Sequence, residues 1–447
     1  MDSILSPIFG DLQPAAVWRH FAAICAIPHP SKGEARLREH LRAWAAGRGL
    51  AATVDAAGNM VVRKPASAGR EGAPGVVLQA HLDMVCQANA GVAHDFARDA
   101  IEPVLRDGWI VAERTTLGAD NGIGVALILA ALEDESLEHG PLEALFTVDE
   151  ETGMGGARGL APDALQGRLM LNLDTEDWGR FFLGCAGGVD VSARRAGRPE
   201  PTPGDWTALR IEARGLVGGH SGIDIHRGRG SAIKLLVRAL RAIEREGTPL
   251  RLASLRGGSA RNALPREAEA VVALPRGAEE GIAGRLAALQ DVFRAELAGA
   301  DEEIALVCAP AEAARTMARA EHAAWLGALH AAPQGVRRMS VRAPGVVETS
   351  ANLGIVDLTP DNGECRFMVR SLIDSAGAEF AEEIVSLFAL AGIGAEASGH
   401  YPGWQPNPDS PLLALCRRVY RGLYGAEPAT EVVHAGLECG IVGGKIP

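Results

Sequence analysis

The chain has 447 residues, of which 47% are hydrophobic and 22% charged, with 56 acidic against 44 basic residues and a formal charge of -12. One hydrophobic core stops growing near about 250–300 residues, so two domains are expected, and the acidic balance disfavours nucleic acid and anionic membrane surfaces as partners. No basic segment followed by an apolar run opens the chain, no apolar stretch is long enough to cross a membrane, and the seven scattered cysteines lack any C-x-x-C pair, which together predict a reducing cytoplasm, no disulfide framework and no thiolate metal site.

Short apolar runs alternate with amphipathic segments through the first 185 residues, the pattern of α/β layering. Runs at 76–85, 142–148 and 169–173 predict buried strands, and the apolar face of 121–133 predicts a buried helix. Near Gly187 the texture changes. Segments 189–193 and 208–213 read as half-exposed strands, 231–244 as a helix opened by a Ser231 cap, and 269–274 and 364–369 as strands bracketing an amphipathic helix at 282–298. A Pro-rich loop at 400–411 and a helix at 412–424 then lead back to the first domain. The expected fold class is α/β: a doubly wound domain of residues 1–186 and 400–447, interrupted by an α+β insert of residues 187–399 with an antiparallel sheet.

Four places put a metal-competent side chain just after an apolar run, where the carboxyl ends of strands build sites in open α/β sheets. His81 and Asp83 are two apart, so they share a strand face and the aspartate can buttress the imidazole. Asp120 sits in a glycine-rich turn before the apolar helix, Asp149, Glu150 and Glu151 follow a strand, and Asp174 ends L-N-L-D. Singly these fit a surface pair, a helix N-cap, a solvated loop and a turn. Jointly they would repel one another strongly unless a cation neutralised them. Carboxylate and imidazole without thiolate suit zinc, manganese or cobalt. Two adjacent glutamates can divide labour, one binding metal and the other taking a proton from water.

At these residues the chain resembles the aminoacyl-histidine dipeptidases, also called cytosolic nonspecific dipeptidases, of the metallopeptidase superfamily that includes peptidase T, carboxypeptidase G and the aminoacylases. H-L-D at His81, G-A-D-N-G around Asp120, D-E-E-T-G around Glu150 and N-L-D ending at Asp174 carry the superfamily pattern. The subfamily markers are G-G-H-S-G around His220, G-G-S-A-R-N-A around Asn262, V-R-S-L-I-D-S around Arg370 and H-A-G-L-E-C-G at 434–440.

The resemblance implies two divalent metal ions, zinc first, with Asp120 bridging them, His81 and Asp174 completing the ligands of one and Glu151 binding the other. It implies Glu150 as general base, Asp83 as support for His81 and a cis peptide between Asp120 and Asn121. In the insert, which becomes a lid and dimerisation domain, His220 would stabilise the oxyanion, in its own or the partner subunit's site, and Asn262 and Arg370 would bind substrate, the guanidinium taking the terminal carboxylate. A further histidine ligand would lie in an H-S-P-D-E-like segment after the H-A-G-L-E-C-G motif. The sequence to Pro447 contains none, so the expectation is a truncated catalytic domain that holds the Glu151 metal poorly and turns over slowly; His434 belongs to the earlier motif and does not replace that ligand.

The function so implied is metal-dependent hydrolysis of dipeptides, Xaa-His substrates such as carnosine among them, by a cytoplasmic homodimer. Rival readings are an N-acyl amino acid deacylase or tripeptidase on the same scaffold, and a non-catalytic relic.

Overall fold

The computed structural model describes residues 7–446; the first six residues and Pro447, which end the expected first domain, lie outside the described residues. The chain divides into two units, one of Met1–Phe182, Pro408–Thr430 and Glu438–Pro447, the other of Leu183–Asn407 and Glu431–Leu437. The expectation that 400–447 returns whole to the first unit is corrected here. Residues 183–186, 400–407 and 431–437 belong to the second, where the Ala186 N–H donates to the carbonyls of Val433 and Ala435 and His434 is buried against Ser350.

In the first unit, strands β1 (Ala51–Val54), β2 (Met60–Lys64), β3 (Val76–His81), β4 (Leu142–Thr147) and β5 (Leu169–Asn172) form one sheet in the order β1-β2-β4-β3-β5. β4, β3 and β5 run parallel, and β1 and β2 add an antiparallel hairpin at one edge. The near-continuous burial of β3 and β4 explains why both read as unbroken apolar runs rather than as alternating ones. Helix Ala119–Glu133 buries Val125, Ile128, Leu129 and Leu132, and helix Ala15–Cys25 adds Phe21 and Ile24 to the same core. Close packing at the helix start needs a residue without a side chain. A Cβ on Gly124 would stand 2.5 Å from the Leu173 carbonyl oxygen.

The second unit carries a nine-stranded antiparallel sheet. Its strands are β6 (Gly187–Ala196), β7 (Trp206–Arg214), β8 (Arg251–Gly257), β9 (Ala268–Pro275), β10 (Ala305–Ala311), β11 (Gly335–Met339), β12 (Val347–Leu358), β13 (Asn362–Ser371) and β14 (Gly394–Tyr401). They lie in the order β10-β7-β9-β8-β12-β13-β6-β14, with β11 also on β12. Helix Ala232–Arg245 buries Ile233, Leu236, Val237 and Leu240 against this sheet. Ser231 stands at its N-cap, but its hydroxyl makes no capping bond and is buried without a partner among the described residues, so the predicted serine cap is one of position only. No helix among the described residues is long and apolar enough to cross a membrane.

Candidate metal centre

β3 ends on His81, which is 1% exposed, and pairs in register with Thr147 of β4. The His81 Nδ1 donates to the Asp83 carbonyl oxygen at 3.0 Å, with the Asp83 carboxylate 3.5 Å away. That bond commits Nδ1 as the donor and turns Nε2 toward two acids, Asp120 Oδ1 at 2.9 Å and Asp174 Oδ1 at 3.4 Å. Asp83 itself is buried and accepts from the Ser31 hydroxyl at 2.7 Å and from the N–H groups of Glu150 and Glu151 at 3.0 and 3.1 Å. Burial opposes its charge, yet these donors and His81 bring its carboxyl down to about 2. The Asp83 carbonyl thus orients the imidazole, while its carboxylate places a negative charge beside the ring and pins the start of the helical turn Glu150–Gly153.

Asp120 is not a capping residue. Gly118 holds the N-cap position with φ +71°, and Asp120 and Asn121 depart from helical geometry, joined by a cis peptide as expected. This turn directs the Asp120 carboxylate to His81 instead of to the helix N–H groups.

The electrostatics are those of a crowded acid cluster. Burial, then the like charges of Glu438, Asp174 and Glu151, push Glu150 up to about 8 against the pull of His81. Glu151 is pushed up to about 7 by burial and by Asp120, Asp83 and Asp174. Burial works against ionising Asp120, but the His81 hydrogen bond holds it low, while burial and the Asp120 charge hold Asp174 high. His81 is itself raised, since the bonds to Asp120, Asp174 and Asp83 outweigh its burial.

Two overlapping groups, His81 with Asp120 and Asp174, and His81 with Glu150 and Glu151, have ligand atoms within 4.8 Å of one another. Glu151 Oε1 is buried and accepts from nothing among the described residues. An orphaned anionic oxygen beside an imidazole and three other carboxylates is the donor set of a hard or borderline divalent cation, so the residues present fit a metal. The six residues predicted for this site, His81, Asp83, Asp120, Glu150, Glu151 and Asp174, come together in the first unit.

The remaining three gather in the second unit. His220 lies on the short strand Gly219–His220, paired with Ala263–Leu264, and the Ser221 N–H donates to the Asn262 carbonyl. His220 Nδ1 accepts from the N–H groups of Gly222 and Ile223, and Nε2 faces Arg370 Nη2 at 3.4 Å. Burial and Arg370 bring His220 down to about 4, so its ring is neutral. Arg370 is 4% exposed and, among the described residues, touches only neutral partners, donating to the Tyr401 hydroxyl at 2.9 Å and lying 3.4 Å from Ser221 Oγ. A buried guanidinium without a carboxylate is a standing receptor for an anion.

Sequence reasoning gave no role to Glu438 or Tyr401. In the sequence Glu438 stands out only as part of the H-A-G-L-E-C-G marker. It is 2% exposed, accepts from Gln79 and Thr147, and is pushed up to about 7, mainly by burial. Its spacing from the other acids carries no pattern.

A parallel-centred sheet bearing a buried His and acid cluster, with an antiparallel unit inserted, defines a metallopeptidase of the two-domain kind, and residues 211–301 match the model of the peptidase dimerisation domain. The chain is 44% identical over 431 residues to the cytosol non-specific dipeptidase of Escherichia coli strain K12, covering 96% of this chain and 89% of that protein. The solved aminoacylhistidine dipeptidase of Vibrio alginolyticus is 42% identical, with a TM-score of 0.85 over 98% of this chain and 89% of that one. A tripeptidase from Staphylococcus aureus shares the fold alone, at 16% identity and a TM-score of 0.53 over 97% of this chain and 88% of its own. The chain belongs to the cytosol non-specific (aminoacylhistidine) dipeptidase family, whose members depend on metal.

Proposed function

We propose that this protein hydrolyses dipeptides, Xaa-His dipeptides among them, in a metal-dependent reaction. The observation that carries the reading is the convergence of Asp120 and Asp174 on His81 Nε2, beside a buried Glu151 oxygen that has no partner among the described residues, in a chain whose relatives are dipeptidases. That kinship favours dipeptides over the deacylase, tripeptidase and relic readings.

We assign His81 and Asp174 to one divalent ion, Glu151 to a second and Asp120 to both, with zinc as the first choice and manganese or cobalt as alternatives. When bound, such ions supply Lewis-acid polarisation and make water acidic enough to lose a proton near neutral pH. Glu150 would take a proton from the attacking water on its carboxylate and return it to the leaving amine. In the metal-free chain burial and the surrounding like charges raise the Glu150 carboxyl, so that it holds a proton more readily than an exposed glutamate. Asp83 keeps His81 in the tautomer that offers Nε2, and its grip on two successive N–H groups fixes Glu150 and Glu151. The neutral His220 is assigned to the developing oxyanion, the buried Arg370 to the dipeptide's terminal carboxylate, and Asn262 to a further substrate contact. The dimerisation-domain match supports a homodimer, and the relatives' name supports a cytoplasmic location.

The test is an assay of Ala-His beside acetylated amino acids and tripeptides, with zinc, manganese or cobalt added. Dipeptide turnover should exceed the others and vanish on chelation. Glu150→Gln should lower kcat by about 10²–10⁴ while the protein still binds metal; full activity in that variant, or none in the wild type with any metal, would reject the proposal.

A further inference from the structure

Glu438 opens the helix Glu438–Lys445, and no lysine or arginine reaches it among the described residues. Its Oε2 accepts from Gln79 Nε2 at 2.6 Å and from Thr147 Oγ1 at 2.7 Å. Gln79 Nε2 also lies 3.2 Å from Thr147 Oγ1, and Gln79 Oε1 accepts from Asn172 Nδ2. These three partners stand one on each of the adjacent parallel strands β3, β4 and β5. Each also shortly precedes a residue of the metal centre: Gln79 before His81, Thr147 before Glu150 and Asn172 before Asp174.

In a strand, residues two apart share a face, so Gln79 lies one step beneath His81 on the same side of the sheet, in register with Asn172. The other Glu438 oxygen, Oε1, is buried and has no partner among the described residues. An apolar side chain would fill that space without leaving an acceptor unsatisfied. The polar group therefore stands, at a cost to stability, where side chains of the three site-bearing strands meet.

We infer that Glu438 is a positioning residue for the metal centre: through Gln79, Thr147 and Asn172 it sets the spacing of the strand ends from which His81, Glu150 and Asp174 project. This rests on the metal centre proposed above. Outer hydrogen-bond partners of metal ligands change metal affinity by about 10–100-fold when removed; Glu438 acts one step further out, through the strands that carry the ligands, so the lower end of that range is expected.

The experiment is titration of the full chain with Co²⁺ alone, read by its visible absorption bands, with the thermal midpoint of the metal-free protein measured alongside. Glu438→Ala should bind Co²⁺ at least about tenfold more weakly, with displaced bands. Glu438→Gln retains an acceptor oxygen and should bind within about threefold of the wild type. Should the alanine variant fail to fold, Thr147→Val removes one donor and should still weaken binding and move the bands. Wild-type affinity and bands in Glu438→Ala, or in Thr147→Val, would overturn the inference even if the thermal midpoint fell. A loss in Glu438→Gln as large as in Glu438→Ala would overturn it too, because charge and not the hydrogen bonds would then be responsible. A wild-type chain that binds no Co²⁺ would remove the metal centre and this role together, whereas an unaltered variant beside a binding wild type removes this role alone.

Discussion

The Asp83 carboxylate accepts from Ser31 and from the N–H groups of Glu150 and Glu151 while standing 3.5 Å from His81, so replacing it frees the turn and removes the negative charge beside the imidazole, although the backbone carbonyl that accepts from Nδ1 remains. Asp83→Ala should weaken metal binding by about 10–100-fold, measured by calorimetric titration. The acid cluster also gives the metal-free protein a pH signature. Glu150 and Glu151 are raised from an ordinary 4.5 to about 8 and about 7, so the folded state holds more protons than the unfolded one between those values. Their contribution to stability is full below about 4.5 and is lost as pH rises through about 7–8. Added divalent metal should therefore raise the thermal midpoint more at pH 8 than at pH 6; an equal rise at both would count against the cluster as the binding site. The cluster was legible because His81, Asp120, Glu150, Glu151 and Asp174 are metal-competent residue types at the ends of apolar runs. Ser31 and Glu438 were not, because a lone serine or acid carries no sign in the sequence of whether folding will bury it.

Among the elements, those that unbroken burial makes uniformly apolar were readable in advance. The run at 142–148 became Leu142–Thr147, and the segment at 121–133 lies within helix Ala119–Glu133. β12 was missed. It is twelve residues long and almost wholly buried, yet it mixes Glu348, Thr349, Ser350 and Asn352 with its apolar residues, because its polar side chains bond inside the unit, Thr349 to Ser371 and Asn352 to Gln334 and to two backbone carbonyls. Packing of helix Ala119–Glu133 on the end of β5 gives a test at this scale. In Gly124→Ala the new Cβ meets the Leu173 backbone oxygen and the Asn121 side chain. Overpacking of that kind costs about 1–3 kcal/mol, more than the helix-propensity gain of about 1 kcal/mol. The thermal midpoint should fall, and Co²⁺ affinity with it, because the displaced carbonyl adjoins Asp174; an unchanged midpoint would show that the helix relaxes freely.

At the scale of the whole molecule, two units drawn from interleaved stretches of chain were expected from length and from the change of texture near Gly187, and two units are observed. The crossing of 431–437 into the second was not foreseeable, since it depends on which backbone carbonyls Ala186 finds. A chain of 46.7 kDa with a peptidase dimerisation domain at 211–301 should sediment as a species of twice that mass; a monomer throughout the micromolar range would contradict the homodimer.

Cys25 sits inside the core of the first unit and Cys365 inside that of the second, and burial pushes both thiols well above their usual range. Each interior thus carries a built-in chemical clock. A thiol-alkylating reagent can mark Cys25 only when the first core breathes open and Cys365 only when the second does, so peptide mass spectrometry of timed alkylation would follow the opening of each unit separately in the intact chain.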